Sequence, residues 1–131
     1  MTFKGIPDKY WPSIEQNVKF DVVYRAIKNN TITKEDFMPD HLKSNPFPIS
    51  INKKLTRSNY SLSLFSKIVD LKHKHDANPI IGNFVAKGKT DINKGVAIPR
   101  NQDSHVNYFL YDPDSNNPCS DFIIWEKGYN E

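Results

Sequence analysis

His105 opens a run of aromatic and polar residues that could bind a ligand. In a β-strand every second side chain points to the same face, so one face of this run would carry His105, Asn107, Phe109 and Tyr111. Histidine can serve as a general base near neutral pH, and tyrosine rings can stack on a nucleobase. We therefore predict binding roles for His105 and Tyr111. We predict one for Tyr108 as well, on the opposite face, because it lies near the basic middle segment in sequence. The alternative is a strand buried in the core, which is the usual place for aromatic strands.

Two clusters have spacings that occur in metal sites, but each lacks a necessary feature. His73 and His75 fall in a predicted helix, where positions two apart point roughly 200° apart and cannot share one ion. Asp112, Asp114 and Asn116 have the spacing of a calcium loop, but the glycine and the glutamate that complete such a loop are missing. We predict no metal site and no resident cofactor.

Three predicted strands carry an arginine, a pair of serines and a glutamate. Arg25 follows Tyr24 near the end of one strand, and Ser61 and Ser63 alternate along the next. Glu126 lies on the last strand. This order resembles the arginine, serine and glutamate arrangement of the ADP-ribosyltransferase family.

In that family the arginine holds the phosphates of NAD, the serine strand shapes the nicotinamide pocket, and the glutamate stabilises the positively charged sugar. The resemblance implies an enzyme that uses NAD or another nucleotide, with these site residues: Arg25, Ser61, Ser63 and Glu126. Two positions depart from the pattern, since Leu62 replaces the central threonine and Ile124 replaces the acid or amide two before the glutamate. The serines could also pair with a histidine as a hydrolytic dyad, although no glycine-x-serine-x-glycine elbow is present.

Basic residues are concentrated in the middle of the chain. Residues 1–40 are neutral, residues 41–100 hold eleven Lys/Arg against three Asp, and residues 101–131 hold one lysine against six acids. The middle therefore carries +8 and the C-terminal part −5. These two parts could pair with each other or could present separate surfaces to two partners.

This charge distribution suggests a small binding or accessory domain that engages nucleic acid or an acidic partner protein, and this is our leading hypothesis. Its basic binding residues would be Lys53, Lys54, Arg57, Lys87 and Lys89. One alternative is that the lysines only solvate the surface, and another is the NAD- or nucleotide-using enzyme. A subunit of a bacterial defence or toxin system is a third. The sequence does not indicate an oligomeric state.

Strand and helix patterns predict one α+β domain over residues 1–131. Alternating apolar residues indicate strands within 17–27, 60–64, 80–86, 95–98, 105–111 and 121–126. Ser66 is a candidate N-cap for a helix that reaches about His75, with Leu71 facing inward and Lys74 outward. Thr33 is a candidate cap for a short turn, and residues 41–59 read as an irregular connection. Closely spaced strands favour a mainly antiparallel sheet with the helix on one face.

Composition limits the class of protein. The chain has 131 residues, of which 37% are hydrophobic, and this is enough for one buried core. Nine prolines argue against a coiled coil, and the single cysteine, Cys119, has no basic neighbour in sequence to activate its thiol. No apolar run approaches the roughly 18 residues that cross a bilayer. We predict a cytoplasmic protein without membrane contact, and the lysine- and asparagine-rich composition favours a bacterial or phage source.

Overall fold

The computed structural model describes residues 2–42 and 55–130 and has a β-sheet at its centre. Six antiparallel strands cross these ranges: β1 (Val23–Ile27), β2 (Leu62–Phe65), β3 (Phe84–Gly88), β4 (Gly95–Pro99), β5 (His105–Leu110) and β6 (Phe122–Ile124). Their order across the sheet is β4-β5-β2-β1-β3-β6. An α-helix, α1 (Ile68–Ala77), follows β2, and no helix in the described ranges is long and apolar enough to cross a membrane. The predicted α+β class is confirmed.

The predicted starts of the first strand and of the helix differ from the observed ones, because backbone N–H groups there form hydrogen bonds outside these elements. Residues 17–22 are not part of β1. The Val18 N–H donates to the Ala97 carbonyl of β4 over 2.9 Å, and the Phe20 carbonyl accepts the N–H of Thr90, which precedes β4, over 3.0 Å. Ser66 does not cap α1, which begins two residues later, and its N–H instead donates to the Ser104 carbonyl over 2.9 Å. The predicted cap at Thr33 is present as a capping box.

One face of the sheet forms the main hydrophobic core. Alternate residues of β1, β2 and β5 point to this face and are buried: Val23, Ile27, Leu62, Leu64, Val106, Tyr108 and Leu110. Phe37 and Phe122 pack against them, with ring centres 4.6 Å apart. Burial of these apolar side chains is the main favourable contribution to folding.

Two separate clusters cover the opposite face. The N-terminal segment packs Phe3 into a cluster with Phe109 of β5. Helix α1 packs Leu71 into a second cluster with Phe65 of β2. Between these clusters, the same face of β2 and β5 carries a polar strip: Ser61, Ser63, His105 and Asn107. The polar side chains of this strip thus lie between the two apolar clusters.

β1 and β2 separate from each other beside the polar strip. In the described residues Tyr24 and Phe65 are the one register pair between them, whereas β1 pairs with β3 along five residues. The Arg25 side chain bridges the separation. Its Nη1 donates to the Ser63 carbonyl over 3.0 Å, and its Nε donates to the Asp36 carbonyl over 2.7 Å.

Acidic residues of the C-terminal part pair with lysines from elsewhere in the chain. Lys94 Nζ lies 2.7 Å from Asp121 Oδ2, and both side chains are largely buried. Lys34 forms a more exposed pair with Asp114. Part of the charge asymmetry of the sequence is therefore cancelled within the molecule.

Candidate functional site

A cavity of about 500 Å³ opens over the polar strip, and α1 contributes to its wall. This volume lies in the range of small-molecule binding sites. Its polar lining is Arg25, Lys28, Asp40, Ser58, Ser61, Ser63, Lys74, Asn78, Arg100, His105 and Asn107, and its apolar lining is Ala26, Phe65, Leu71, Ile80 and Ile81. The cavity therefore brings together four of the residues predicted from sequence: Arg25, Ser61, Ser63 and His105.

Ser63 and His105 form a hydrogen-bonded pair in this cavity. Ser63 Oγ lies 2.5 Å from His105 Nε2, because β2 and β5 are neighbours and place the two side chains diagonally on one face. His105 is 8% exposed, Ser63 is half-buried, and the Phe65 ring lies edge-on to the imidazole at 5.0 Å between centroids. A cavity-facing hydroxyl is thus joined to an imidazole that is shielded from bulk water.

The imidazole of His105 is neutral at physiological pH. Burial, followed by the charges of Arg100 and Lys74, lowers the pKa of His105 to about 4, and Asp103 opposes this shift. Its Nδ1 is buried and has no hydrogen-bond partner among the described residues. We assign the proton to Nδ1, since Nε2 can then accept the hydrogen bond of the Ser63 hydroxyl.

The cavity is basic. Four cationic side chains line it against one carboxylate, that of Asp40: Arg25, Lys28, Lys74 and Arg100. Desolvation, followed by the charge of Arg25, lowers the pKa of Lys74. The Arg100 guanidinium is fixed by Asp103, with 2.6 Å between Nη2 and Oδ2. A concave surface with this charge concentrates anions.

Arg25 contributes charge to the cavity from a fixed position. It is 6% exposed, and its two hydrogen bonds to backbone carbonyls tie β1 to β2 and to the turn Lys34–Phe37. Burial lowers the pKa of Arg25 to about 10, and the nearby carboxylates of Asp40 and Asp36 oppose the shift. The Arg25 side chain is therefore less able than that of Lys74, on the surface of α1, to change its conformation when a ligand binds.

The two remaining catalytic candidates occupy different places. Ser61 Oγ donates to the Ser58 carbonyl over 3.0 Å and lies 3.2 Å from Asn107 Oδ1, so its hydroxyl is engaged in the cavity wall. Glu126 follows β6 at the outer edge of the sheet, is exposed, and does not line the cavity. The structure unites the arginine and the serines of the predicted arrangement without its glutamate.

The two predicted tyrosines contact other parts of the molecule. Tyr108 points into the main core, where its hydroxyl exchanges hydrogen bonds of 3.0 Å with the backbone of Asp91, and burial raises the pKa of Tyr108. Tyr111 packs against Phe3, with ring centres 5.0 Å apart, and burial raises its pKa as well. Neither tyrosine lines the cavity.

The three described residues among the basic ones predicted to bind an acidic surface do not line the cavity either. The other two lie outside the described residues: Lys53 and Lys54. Arg57 packs over the ring of Phe109, with 5.1 Å from its guanidinium carbon to the ring centre. Lys87 Nζ lies 3.9 Å from the ring centre of Trp125, and Lys89 is exposed.

Lys74 and Arg100 are cavity residues that the sequence analysis did not identify. Lys74 was predicted to face away from the sheet, but it lies three positions after the buried Leu71, a helical spacing that turns both toward the same side. The three-residue spacing from Leu71 could therefore have identified Lys74 from the sequence. Arg100 has no comparable signal, since its place depends on the β4–β5 turn, where its N–H donates to the His105 carbonyl over 2.9 Å.

The clusters considered as metal sites have other contacts. The described part of the chain contains no group of three or more His, Cys, Asp or Glu residues that could hold a metal ion. His75 stacks on Tyr129, with 4.1 Å between ring centres. Asp112 accepts the backbone N–H of Asp114 over 3.0 Å, which is a turn contact.

The chain shows no match that would assign it to a family. No family model, curated protein or solved structure matches it significantly. The basis for a function is therefore the cavity itself, with its size, its charge and its serine–histidine pair.

Proposed function

We propose that the protein is an enzyme that binds NAD or a related nucleotide in the cavity above β2 and β5. One observation carries this proposal: a cavity of about 500 Å³ combines four cationic side chains with an apolar wall. Nucleotides present the matching chemistry, since their phosphates are anionic and their bases have flat faces that can lie against an apolar wall.

Each part of a nucleotide has a counterpart in the lining. Lys74 and Arg100 carry charges that can reach a phosphate, and a charge-assisted hydrogen bond to phosphate is roughly twice as strong as a neutral one. Leu71, Ile80 and Ile81 supply an apolar surface for a base. The Asn107 amide lies on the polar strip, where it can bond to ribose hydroxyls.

The test is calorimetric titration of the full chain with ADP, NAD and adenosine. We expect ADP and NAD to bind at least about tenfold more tightly than adenosine, because adenosine lacks the charged phosphates. Lys74→Gln should weaken ADP binding by about tenfold for the same reason. Lys72→Gln is the matched control, because Lys72 lies on the same helix outside the cavity and pairs with Asp76.

Equal affinity for adenosine and ADP would contradict phosphate recognition. The absence of binding of any of these compounds at millimolar concentration would overturn the proposal altogether. If Lys72→Gln weakens ADP binding as much as Lys74→Gln, the effect is one of overall charge and the cavity is not the binding site.

A second candidate function is binding of nucleic acid or an acidic partner protein by the basic middle segment. The observation that favours it is the position of Lys87 over the Trp125 ring near the exposed Lys89, since cations beside aromatic rings are a common feature of single-strand-binding surfaces. Pairing of Lys94 with Asp121 removes some of the positive charge that this function would use.

Fluorescence anisotropy with single-stranded oligonucleotides tests the second function. Lys87→Glu/Lys89→Glu should weaken binding of every sequence, and the affinity should fall steeply with salt, because phosphate contacts release counterions. Lys9→Glu/Lys19→Glu, in the neutral N-terminal part, is the control pair. Affinity that does not change with salt excludes this function.

Either function is proposed for a cytoplasmic protein of a bacterium or phage. Support for this location and source comes from the single cysteine and from the composition rich in lysine and asparagine. Membership of a defence or toxin system is an extension of the same proposal.

A further inference from the structure

We propose that Ser63 is a nucleophile that His105 activates, so that the cavity carries out phosphoryl transfer through a covalent serine intermediate. This inference rests on the proposed function, because it takes a bound nucleotide as the phosphoryl donor. It adds a reaction class and a role for each of two residues.

The contact between Ser63 and His105 is that of a nucleophile and its base. The 2.5 Å between Oγ and Nε2 is a hydrogen-bond distance, and a neutral imidazole can take the hydroxyl proton through that bond. Both residues line the cavity, and the half-buried Ser63 leaves its hydroxyl accessible to a bound ligand. Phe65, edge-on to the imidazole, limits the movement of the ring.

Other serines near the cavity lack this arrangement. The Ser61 hydroxyl donates to the Ser58 carbonyl, and Ser58 Oγ lies 3.1 Å from the hydroxyl of Thr56. Ser66, just after β2, has its hydroxyl 3.5 Å from the Ser104 carbonyl and lies outside the cavity. In the described residues, Ser63 is the cavity serine whose hydroxyl bonds to an imidazole.

The positive charges of Lys74 and Arg100 in the same cavity favour a phosphoryl donor, whose transfer would take two steps. Ser63 Oγ attacks phosphorus, a P–Oγ bond forms, and the P–O bond to the leaving group breaks. The hydroxyl proton passes to His105 Nε2 and then to the leaving oxygen, so that protons and charge balance. Water attacks the phosphoserine in a second step, with His105 again taking and returning a proton. Lys74 and Arg100 stabilise the negative charge on the phosphoryl oxygens.

Ligand binding also prepares the base. Arg100 and Lys74 face His105 and disfavour its protonation, while Asp103 favours it. An anionic phosphate between these groups would offset the two positive charges and raise the proton affinity of the imidazole. The histidine is therefore a stronger base when substrate is bound than when the cavity holds only water.

The test uses a fluorophosphonate, which phosphonylates activated serines with loss of fluoride, and follows the intact mass and the labelled peptide. We expect one adduct, on Ser63, and protection by ADP. Ser63→Ala should remove the adduct, and His105→Gln should slow its formation by about a hundredfold or more, the lower range for loss of a general base. Ser66→Ala is the matched control and should be labelled at the wild-type rate.

The pH dependence of labelling in the wild-type protein keeps the test independent of variants that fail to fold. A hydroxyl without a base would react tenfold faster for each pH unit, in proportion to hydroxide, whereas histidine-assisted labelling should be level between about pH 6 and 8. Absence of a Ser63 adduct, or a rate proportional to hydroxide, overturns the inference. If ADP binding is intact in that case, the nucleotide proposal stands. Labelling at Ser63 without any nucleotide binding would reject the nucleotide as phosphoryl donor and would leave only the activation of Ser63 by His105.

Discussion

At the scale of single residues, the burial of His105 links its protonation to the stability of the fold. His105 is buried as a neutral imidazole, and its pKa of about 4 lies below the 6.5 of an exposed histidine. Between these two values the unfolded chain binds a proton that the folded chain does not. The contribution of neutral, buried His105 to the free energy of unfolding is therefore fully present above pH 6.5 and is lost as the pH falls toward 4. We expect the free energy of unfolding to drop by about 1–2 kcal/mol from pH 7 to pH 5 on account of this group.

Urea unfolding of the wild type and of His105→Gln at pH 7 and pH 5 measures this contribution. The variant should lose less stability than the wild type between the two values, because glutamine does not titrate. Asp70, Asp76 and Asp103 have lowered pKa values from their hydrogen bonds, so they act below this window. His41 also has a pKa lowered by burial, and it supplies the slope that remains in the variant. Equal slopes in both proteins would contradict a neutral, buried His105.

At the scale of elements, the sequence was informative where one periodicity dominates. Alternation along 105–111 predicted both faces of β5, because its apolar face has to be buried in the core. The same alternation around 60–64 put Ser61 and Ser63 on one face. It failed at 17–22, where the apolar pattern is like that of a strand but the backbone bonds of Val18 and Phe20 go to Ala97 of β4 and to Thr90. Hydrogen bonds between residues so far apart in the chain produce no pattern in the local sequence.

The candidate site was only partly predictable for a related reason. Each of its strands could be recognised separately, but Ser63 and His105 are 42 positions apart in sequence, and their contact depends on the register of β2 against β5. Glu126 was assigned to the site through the resemblance to the ADP-ribosyltransferase family, as a glutamate on the last predicted strand. Strand order decides its actual position, since β6 lies at the edge of the sheet, with β3 and β1 between it and β2.

At the scale of the whole molecule, the ion pair between Lys94 and Asp121 ties the start of β4 to the turn Pro118–Asp121 that leads into β6. These two strands lie at opposite edges of the sheet. The side chains are 21% and 15% exposed, so water screens the pair poorly and removal of one partner leaves the other charge partly buried. The basic middle and the acidic end of the sequence therefore stabilise each other here.

Asp121→Asn should therefore lower the free energy of unfolding by about 1–2 kcal/mol, because Lys94 would keep its burial and lose its charged partner. Asp76→Asn is the matched control. It breaks the pair with Lys72, which has a similar distance of 2.9 Å but side chains that are 49% and 55% exposed, and exposed pairs contribute about 0–1 kcal/mol. Urea midpoints of both variants at low and high salt make the comparison, and salt should reduce only the small effect of Asp76→Asn. Equal losses in the two variants would mean that the buried pair contributes no more than a surface contact, and that the two charged parts of the chain are held together by their apolar neighbours alone.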